Sequence, residues 1–148
     1  MISGGHIMRL IKVPGWHYYV DELNYENLNT DKVGKWMFFY KGAEGHKYAE
    51  EKCQKAVEQG IVYETKVSDN ILEGVSCYYL NLDDMARHKA VIQYFLDNNM
   101  ISKTKSGKLY NISFKLDKQT MAGDYGADFK PVLKLEEFID LNTGKWIR

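Results

Sequence analysis

Two stretches of the chain repeat their apolar positions with the period of an amphipathic helix. In the first, the spacing places four small apolar side chains on one stripe: Ala49, Cys53, Ala56 and Val57. Gly60 follows where a helix end favours a left-handed residue, and Ile61 supplies the hydrophobic contact that accompanies such an ending. The pattern therefore predicts a first helix from His46 to Gln59.

The second stretch opens at "NLDD", where Asp83 can cap a helix and Asp84 favours its positive end. The apolar positions of this helix are Val91, Ile92, Phe95 and Leu96. Asn98 or Asn99 can adopt the left-handed conformation that ends it. This pattern predicts a second helix.

Strand patterns surround both helices. "MRLIKV" and "WHYYV" flank a turn at Pro14-Gly15, and "VYETKVS" and "VSCYYLNL" lie between the helices. "KWMFFY" is a continuous apolar and aromatic run, which predicts a central strand covered on both faces.

The residues after the second helix predict a hairpin and a closing segment. "ISKTKSGKLYNISFKL" contains a turn at Ser106-Gly107 with a strand on either side. Alternation places four side chains of the second strand on one face: Tyr110, Ile112, Phe114 and Leu116. The tail "PVLKLEEFIDLNTGKWIR" predicts a strand or short helix, an "NTG" turn and a last short strand.

This order of elements predicts one α+β domain over residues 1–148, in which two main helices pack on one face of a mainly antiparallel sheet. No Pro-, Gly- or Ser-rich linker divides the chain. Residues 1–7 read as vector-derived, with Met8 as the natural start. The pattern of a signal peptide is missing, and no apolar run has the length of a membrane span, so we expect a cytoplasmic protein.

Composition supports a sheet, and the balanced charge excludes attraction of nucleic acid or membranes by the protein as a whole. Aromatic residues make up 14% of the chain, with eleven tyrosines, and flat rings pack well on a pleated surface. Twenty basic and twenty acidic residues cancel, so any attraction for nucleic acid or membranes must come from a local patch. The two cysteines, Cys53 and Cys77, lie in apolar patterns and are predicted to be reduced, buried thiols.

The four histidines form no recognisable catalytic or metal-binding motif. Nucleophilic catalysis needs a base beside a Ser or Cys, and no G-x-S-x-G, H-E-x-x-H or C-x-x-C is present. We interpret His88 as a histidine at the core boundary with a satisfied ring nitrogen, and His46 as a surface residue. No catalytic residue, metal ligand or cofactor is predicted. The hypothesis that the protein is an enzyme therefore ranks below the two binding hypotheses given at the end of this section.

The sequence also gives little support for a glycine-rich loop that binds phosphate. "GAEG" and "GDYG" match the G-x-x-G pattern that clamps nucleic-acid backbone, but Glu44 and Asp124 at their centres would repel phosphate. Tight turns explain these glycines better.

A local cluster of lysines remains. Between residues 101 and 118 only Asp117 opposes five cations: Lys103, Lys105, Lys108, Lys115 and Lys118. Such lysines commonly protect an edge hairpin from aggregation, and this interpretation is favoured. The alternative is a contact surface for phosphate or nucleic acid.

The stretch from Lys115 to Phe129 is polar and follows a strand, so its side chains could converge on a ligand. Beyond the lysines, the candidates include Gln119 and Tyr125. A plain solvated connection is the favoured interpretation of this stretch.

One resemblance covers Gly34 to Ser68. "GKWMFFY", an amphipathic helix and "YETKVS" recur in this order in the basophilic leukaemia-expressed protein family, which this chain resembles. The resemblance implies a fold like that of the cap-binding translation initiation factor 4E, a curved antiparallel sheet with helices on one side.

Cap binding would need two tryptophans around a base, a carboxylate at its edge and cations on its phosphates. Trp16, Trp36 and Trp146 supply rings, but no residue matches the cap site position by position. Trp36 belongs to a continuous apolar run and is assigned to core packing. We therefore expect Trp16 and Trp146, with the lysines, to contact a ligand.

The sequence favours a small non-catalytic binding protein that takes a nucleotide or a nucleic-acid segment through aromatic and lysine contacts. The alternative is a protein-interaction module, such as an inhibitor or adaptor encoded by a phage or a bacterium, whose aromatic surface binds a protein partner.

Overall fold

A computed structural model describes residues 7–118 and 133–148 of the chain. The strands are β1 Met8–Val13, β2 Trp16–Asp21, β3 Val33–Lys41, β4 Glu64–Ser68, β5 Glu73–Asn81, β6 Ser113–Leu116 and β7 Leu133–Lys134. The helices are α1 Gly42–Glu58 and α2 Met85–Asp97, and two short 3-10 turns span Tyr25–Asn27 and Leu135–Glu137.

The seven strands form one curved, open sheet in the order β1-β2-β4-β5-β3-β6-β7. Every neighbouring pair is antiparallel. Both helices pack on the same face, and the opposite face carries no helix among the described residues. The predicted α+β class is confirmed.

Helix α1 covers the middle of the sheet with the stripe that the sequence predicts. All four of its small apolar side chains are buried: Ala49, Cys53, Ala56 and Val57. Small side chains let the helix backbone approach the sheet closely, and the Thr65 hydroxyl of β4 donates a 3.0 Å hydrogen bond to the Cys53 carbonyl. The thiols of Cys53 and Cys77 are free and buried, as predicted.

Both helices end as the sequence predicts. Gly60 has φ +73°, and the Ile61 amide donates to the Ala56 carbonyl at 2.9 Å. Asn99 has φ +54°, and the Met100 amide donates to the Phe95 carbonyl at 2.9 Å. Each ending is a Schellman motif closed by an apolar residue.

The beginnings of the helices differ from the prediction. Helix α1 starts at Gly42 rather than His46, because the extended Lys41 already serves as its N-cap and Glu44 favours the first turn. Helix α2 is capped by Asp84 rather than Asp83, with the Asp84 carboxylate accepting a bond from the Arg87 amide at 3.2 Å.

A buried bond between Trp36 and His88 joins the sheet to α2. The Trp36 indole Nε1 donates to His88 Nδ1 at 3.0 Å, and His88 Nε2 lies 2.8 Å from the Leu82 carbonyl oxygen. Both residues are fully buried, and the rings of Phe114 and Phe138 pack against them. Trp36 thus has the predicted core role, whereas His88 lies in the core rather than at its boundary.

The prediction that "KWMFFY" is covered on both faces is wrong at its second half. Phe39 is 69% exposed, and the most completely covered strand is β5, in which every residue from Ser76 to Leu80 is buried. The reason is that Phe38 packs against Tyr48 of α1, so Phe39 points to the opposite face, which carries no helix among the described residues.

The predicted hairpin at Ser106-Gly107 is reduced to a turn. Gly107 has φ +89°, but a single bridge, Lys103 to Leu109, replaces the two strands. Beside this bridge the Tyr110 amide donates to the Ser102 carbonyl, but the Ile112 carbonyl, which lies further along, accepts from the Leu135 amide of the tail instead. Tyr110 is consequently 55% exposed instead of sharing a buried face with Phe114.

The tail has the predicted strand and turn in its described part, residues 133–148, but a single bridge replaces the predicted last strand. Strand β7 and a 3-10 turn precede a tight turn at Gly144, and Ile139 then bridges Trp146. Within the described ranges, no helix has both the length and the apolar character needed to cross a membrane.

We predict that Gly34→Ala loosens the contact between β3 and β6. A Cβ at residue 34 would lie 2.6 Å from the Lys115 carbonyl oxygen and 2.6 Å from the Phe114 ring. Overpacking of this kind costs about 1–3 kcal/mol of unfolding free energy, measurable by urea denaturation. Gly45→Ala is the control, because its Cβ would meet Tyr40 at 3.4 Å in a helix. Equal effects of the two substitutions would contradict this account.

We also predict that acid weakens the fold through His88. Burial lowers the pKa of His88 below its ordinary 6.5, so the unfolded chain takes up the proton first as pH falls. The stability contributed by the neutral ring is therefore present above pH 6.5 and lost as the pH falls toward the lower folded-state pKa. His88→Gln should lose about 1–3 kcal/mol at pH 7 and show a flatter pH dependence in urea denaturation. Identical slopes for the two proteins would refute this assignment.

Candidate functional site on the open face of the sheet

The sheet face opposite the helices carries aromatic and charged side chains at its centre. Register places Lys35, Tyr79 and Glu64 in one row across β3, β5 and β4. The next row contains Cys77, Lys66 and Tyr18, among others. We call this surface the open face.

Two adjoining cavities lie on the open face, and Tyr18, Tyr25 and Glu64 line both of them. The central cavity has a volume of about 460 Å³, and Lys66, Tyr79 and Asp117 also contribute to its wall. The outer cavity has a volume of about 350 Å³ and extends over β1. The outer wall adds Arg9, Ile11, Val13, Val20 and Glu22. Their combined size falls in the range of small-molecule sites.

Lys66 links these cavities to Trp16. Its ammonium nitrogen lies 4.0 Å from the centre of the Trp16 ring and 5.9 Å from that of Tyr18. A cation over a ring face is attracted by the negative π surface, so both rings hold Lys66 in place. Trp16 itself is half-buried and lies beside the cavities rather than in their walls.

Lys35 and Asp117 form an ion pair at the other side of the central cavity. Lys35 Nζ lies 2.7 Å from Asp117 Oδ1, and the lysine side chain is only 9% exposed. A buried ammonium needs a partner of opposite charge, which Asp117 provides. Asp117 keeps a third of its side chain exposed toward solvent and lines the cavity.

Glu64 is a partly buried carboxylate whose surroundings disfavour its charged form. It makes no side-chain hydrogen bond or ion pair to the described part of the chain, and register places it between Val20 and Tyr79. Burial raises the pKa of the Glu64 carboxyl, Asp117 raises it further, and Lys66 partly offsets both effects. A half-buried carboxylate without a hydrogen-bond partner is suited to accept a hydrogen bond from a ligand.

Three other titratable groups of the open face, one thiol and two phenols, are held in their protonated forms. Burial is the main cause that raises the pKa of the Cys77 thiol and of the phenols of Tyr18 and Tyr79. A thiol with a raised pKa is a poor nucleophile. The arrangement is therefore suited to binding through rings, hydrogen bonds and charge.

The two tryptophans predicted to contact a ligand lie on opposite sides of the sheet. Trp16 lies on the open face, whereas the Trp146 indole donates a 2.9 Å hydrogen bond to the Gln93 side chain on α2. Trp146 is partly exposed, as predicted. These two rings cannot enclose one base between them.

The predicted lysines are likewise separated. Lys103, Lys105 and Lys108 are exposed around the turn at Gly107, away from the cavity walls, and Lys118 is exposed at the end of the described segment. Lys115 pairs in register with Lys35 and shares the open face. The predicted contacts Gln119 and Tyr125 lie outside the described residues.

Sequence reasoning missed most residues that line the cavities, notably Tyr18, Tyr25, Glu64 and Tyr79. Alternation in "VYETKVS" does place Glu64 and Lys66 on one face. Their convergence with tyrosines of β2 and β5 depends on register between strands distant in the chain, and no local pattern reports that register.

A second polar cluster was also missed, on the helix side. His17 Nδ1 contacts a carboxylate oxygen of Glu50, and the Tyr19 hydroxyl donates to the other oxygen at 2.5 Å. His46 lies 3.7 Å from Glu50 and contacts the Ser68 carbonyl at 3.0 Å, so its interpretation as a surface residue is wrong. The cluster attaches α1 to β2 and β4. No group of three potential metal ligands occurs within residues 7–118 and 133–148.

No model of a known protein family matches the chain, and no curated protein is similar enough to count as a relative. The function of the open face must therefore be inferred from its geometry.

We predict that Glu64→Gln stabilises the protein at neutral pH. The raised pKa means that the folded state binds a proton more tightly than the unfolded chain, so ionised Glu64 costs stability above its ordinary pKa of 4.5. The free energy of unfolding of the variant should exceed that of wild type at pH 7, and the difference should shrink toward pH 4. Urea denaturation at several pH values measures it. A variant less stable than wild type at pH 7 would show that Glu64 is stabilised by a partner.

Proposed function

We propose that the protein is a non-catalytic binding protein that takes a mononucleotide on the open face. The observation that carries the proposal is the central cavity, where tyrosine rings, the unpartnered Glu64 and the ammonium of Lys66 line one space. These groups complement the three parts of a nucleotide, which are a flat ring, polar ring edges and an anionic phosphate.

The rings provide the stacking surface. Tyr18 and Tyr25 line both cavities, and Tyr79 lines the central one. Stacking of a base on an aromatic side chain contributes about 1–3 kcal/mol and tolerates different bases. The raised pKa of Tyr18 keeps its phenol neutral, so it does not repel an anionic ligand.

Glu64 provides selectivity for the base. A carboxylate without partners can accept two adjacent N–H groups, an arrangement that guanine presents on one edge and adenine does not. Lys66 lies next to Glu64 along the same face of β4, close enough to the cavity to reach a phosphate of the same ligand.

The charge of the cavities favours a single nucleotide over a nucleic-acid strand. Carboxylates outnumber cations in the two walls, where Glu22, Glu26, Glu64 and Asp117 face Arg9 and Lys66. A strand of phosphates needs several cations on one surface, because binding is driven by the release of counterions. The proposal is therefore narrower than the expectation from sequence.

Calorimetric titration with GMP, GTP, AMP, ATP and UTP at low salt tests the proposal. We expect saturable binding, with guanine nucleotides bound more tightly than adenine nucleotides. Tyr18→Ala should weaken binding by about 5- to 150-fold through lost stacking, and Glu64→Gln should remove the preference for guanine.

Lys103→Ala is the matched control, since it removes an exposed cation that lies away from the cavity walls. Its affinity should stay within twofold of wild type. The proposal fails if none of the five nucleotides binds. It also fails if Lys103→Ala weakens binding while Tyr18→Ala does not.

A further inference from the structure

Strand β3 has a free edge over its second half. All nine of its residues pair with β5, but on its other side β6 pairs only with Gly34 and Lys35. From Trp36 to Lys41 no strand of the described chain lies along this side. An unpaired strand edge offers a row of amide and carbonyl groups to an incoming strand.

Two hydrogen bonds show which backbone groups point outward. The Gly42 amide donates to the Leu72 carbonyl at 2.6 Å, and the Phe38 carbonyl accepts from the Ser76 hydroxyl at 3.1 Å, so residues 38 and 42 point toward β5. Backbone groups alternate in direction along a strand. Those of Met37, Phe39 and Lys41 therefore point toward the free edge.

A groove runs beside this edge. One cavity of about 280 Å³ is lined by Met37, Phe39, Tyr110 and Ile112, among others. A second cavity of about 730 Å³ continues past Lys41, and both share Phe39 and Ser102. The segment of residues 100–112 thus forms the far wall, and the floor carries large apolar side chains.

The surroundings of the groove are mainly cationic. Lys41 lines the larger cavity, and the turn that follows Ser102 carries three exposed lysines, Lys103, Lys105 and Lys108. Glu73 is the opposing carboxylate in the wall. This charge complements carboxylates at the end of an incoming segment.

We propose that an extended acidic segment of a partner protein adds to β3 as a further strand and fills this groove. Its backbone pairs with Met37, Phe39 and Lys41, its alternate apolar side chains contact the groove, and its carboxylates face the lysines. The outer edge strand β1 carries Arg9 and Lys12, which discourage pairing there, whereas the exposed residue at the middle of the β3 edge is Phe39. This surface is separate from the two open-face cavities. It is the surface through which the protein would act under the alternative hypothesis of a protein-interaction module.

Selection from a random ten-residue peptide library, with excess Phe39→Lys protein as competitor, tests the proposal. We expect enriched peptides with apolar residues at alternate positions and Asp or Glu near one end. Fluorescence anisotropy should show that Phe39→Lys weakens their binding by about tenfold or more, because an edge lysine blocks strand addition. Leu10→Lys is the matched control on β1 and should leave affinity within twofold.

Backbone methylation of the best peptide tests the geometry of pairing. Methyl groups on the amides of one alternate set should weaken binding by about tenfold or more, and those on the other set should change it little, because only one set faces β3. Nucleotide titration of Phe39→Lys should match wild type, so failure here is distinct from failure of the open-face site.

Three outcomes of the peptide experiments overturn the proposal. They are a library with no enriched peptide, enriched peptides that bind Phe39→Lys as tightly as wild type, and equal effects of the two methylated sets. Sedimentation tests for a second copy of the chain as occupant. A wild-type dimer that Phe39→Lys converts to a monomer would also overturn the proposal.

Discussion

The structure depends on the buried hydrogen bond between Trp36 and His88. It connects the strand β3 to the helix α2, and the rings of Phe114 and Phe138 close around it from β6 and the C-terminal turn. Two polar side chains can occupy the driest part of this core only because each nitrogen has a partner. One bond therefore holds elements that are far apart in the chain on the helix side of the sheet.

Placing the apolar stripes of both helices on one face leaves the other face to be stabilised by its own side chains. Tyrosine rings cover much of that surface, and its charges are paired or held by rings, as in Lys35 with Asp117 and Lys66 over Trp16. Glu64 is the exception among these groups, because burial raises its pKa while no described neighbour bonds to it. An unpartnered carboxylate in an aromatic wall is a cost to folding that binding can recover.

The close contact at Gly34 allows β6 and β3 to pair at this point. A glycine lets the Phe114 ring and the Lys115 carbonyl approach β3 where any side chain would collide with them. Strand β6 pairs with β3 at only two residues, and its other half pairs with β7. As a result the aromatic end of β3 remains without a neighbour on that side, and the groove beside Phe39 opens.

The sequence by itself determined the two helices, their Schellman endings at Gly60 and Asn99, most strands and the core role of Trp36, because these follow from periodicity and from local backbone preference. It ranked Trp16, Trp146 and the lysines as ligand contacts, yet only Trp16 and Lys115 lie on the open face. Tertiary structure alone decided that Tyr18, Glu64 and Tyr79 meet, and that the second strand of the predicted hairpin pairs mainly with the tail. The physical reason is that strand register and competition for backbone hydrogen bonds are set between residues distant in the chain, where no local pattern reaches.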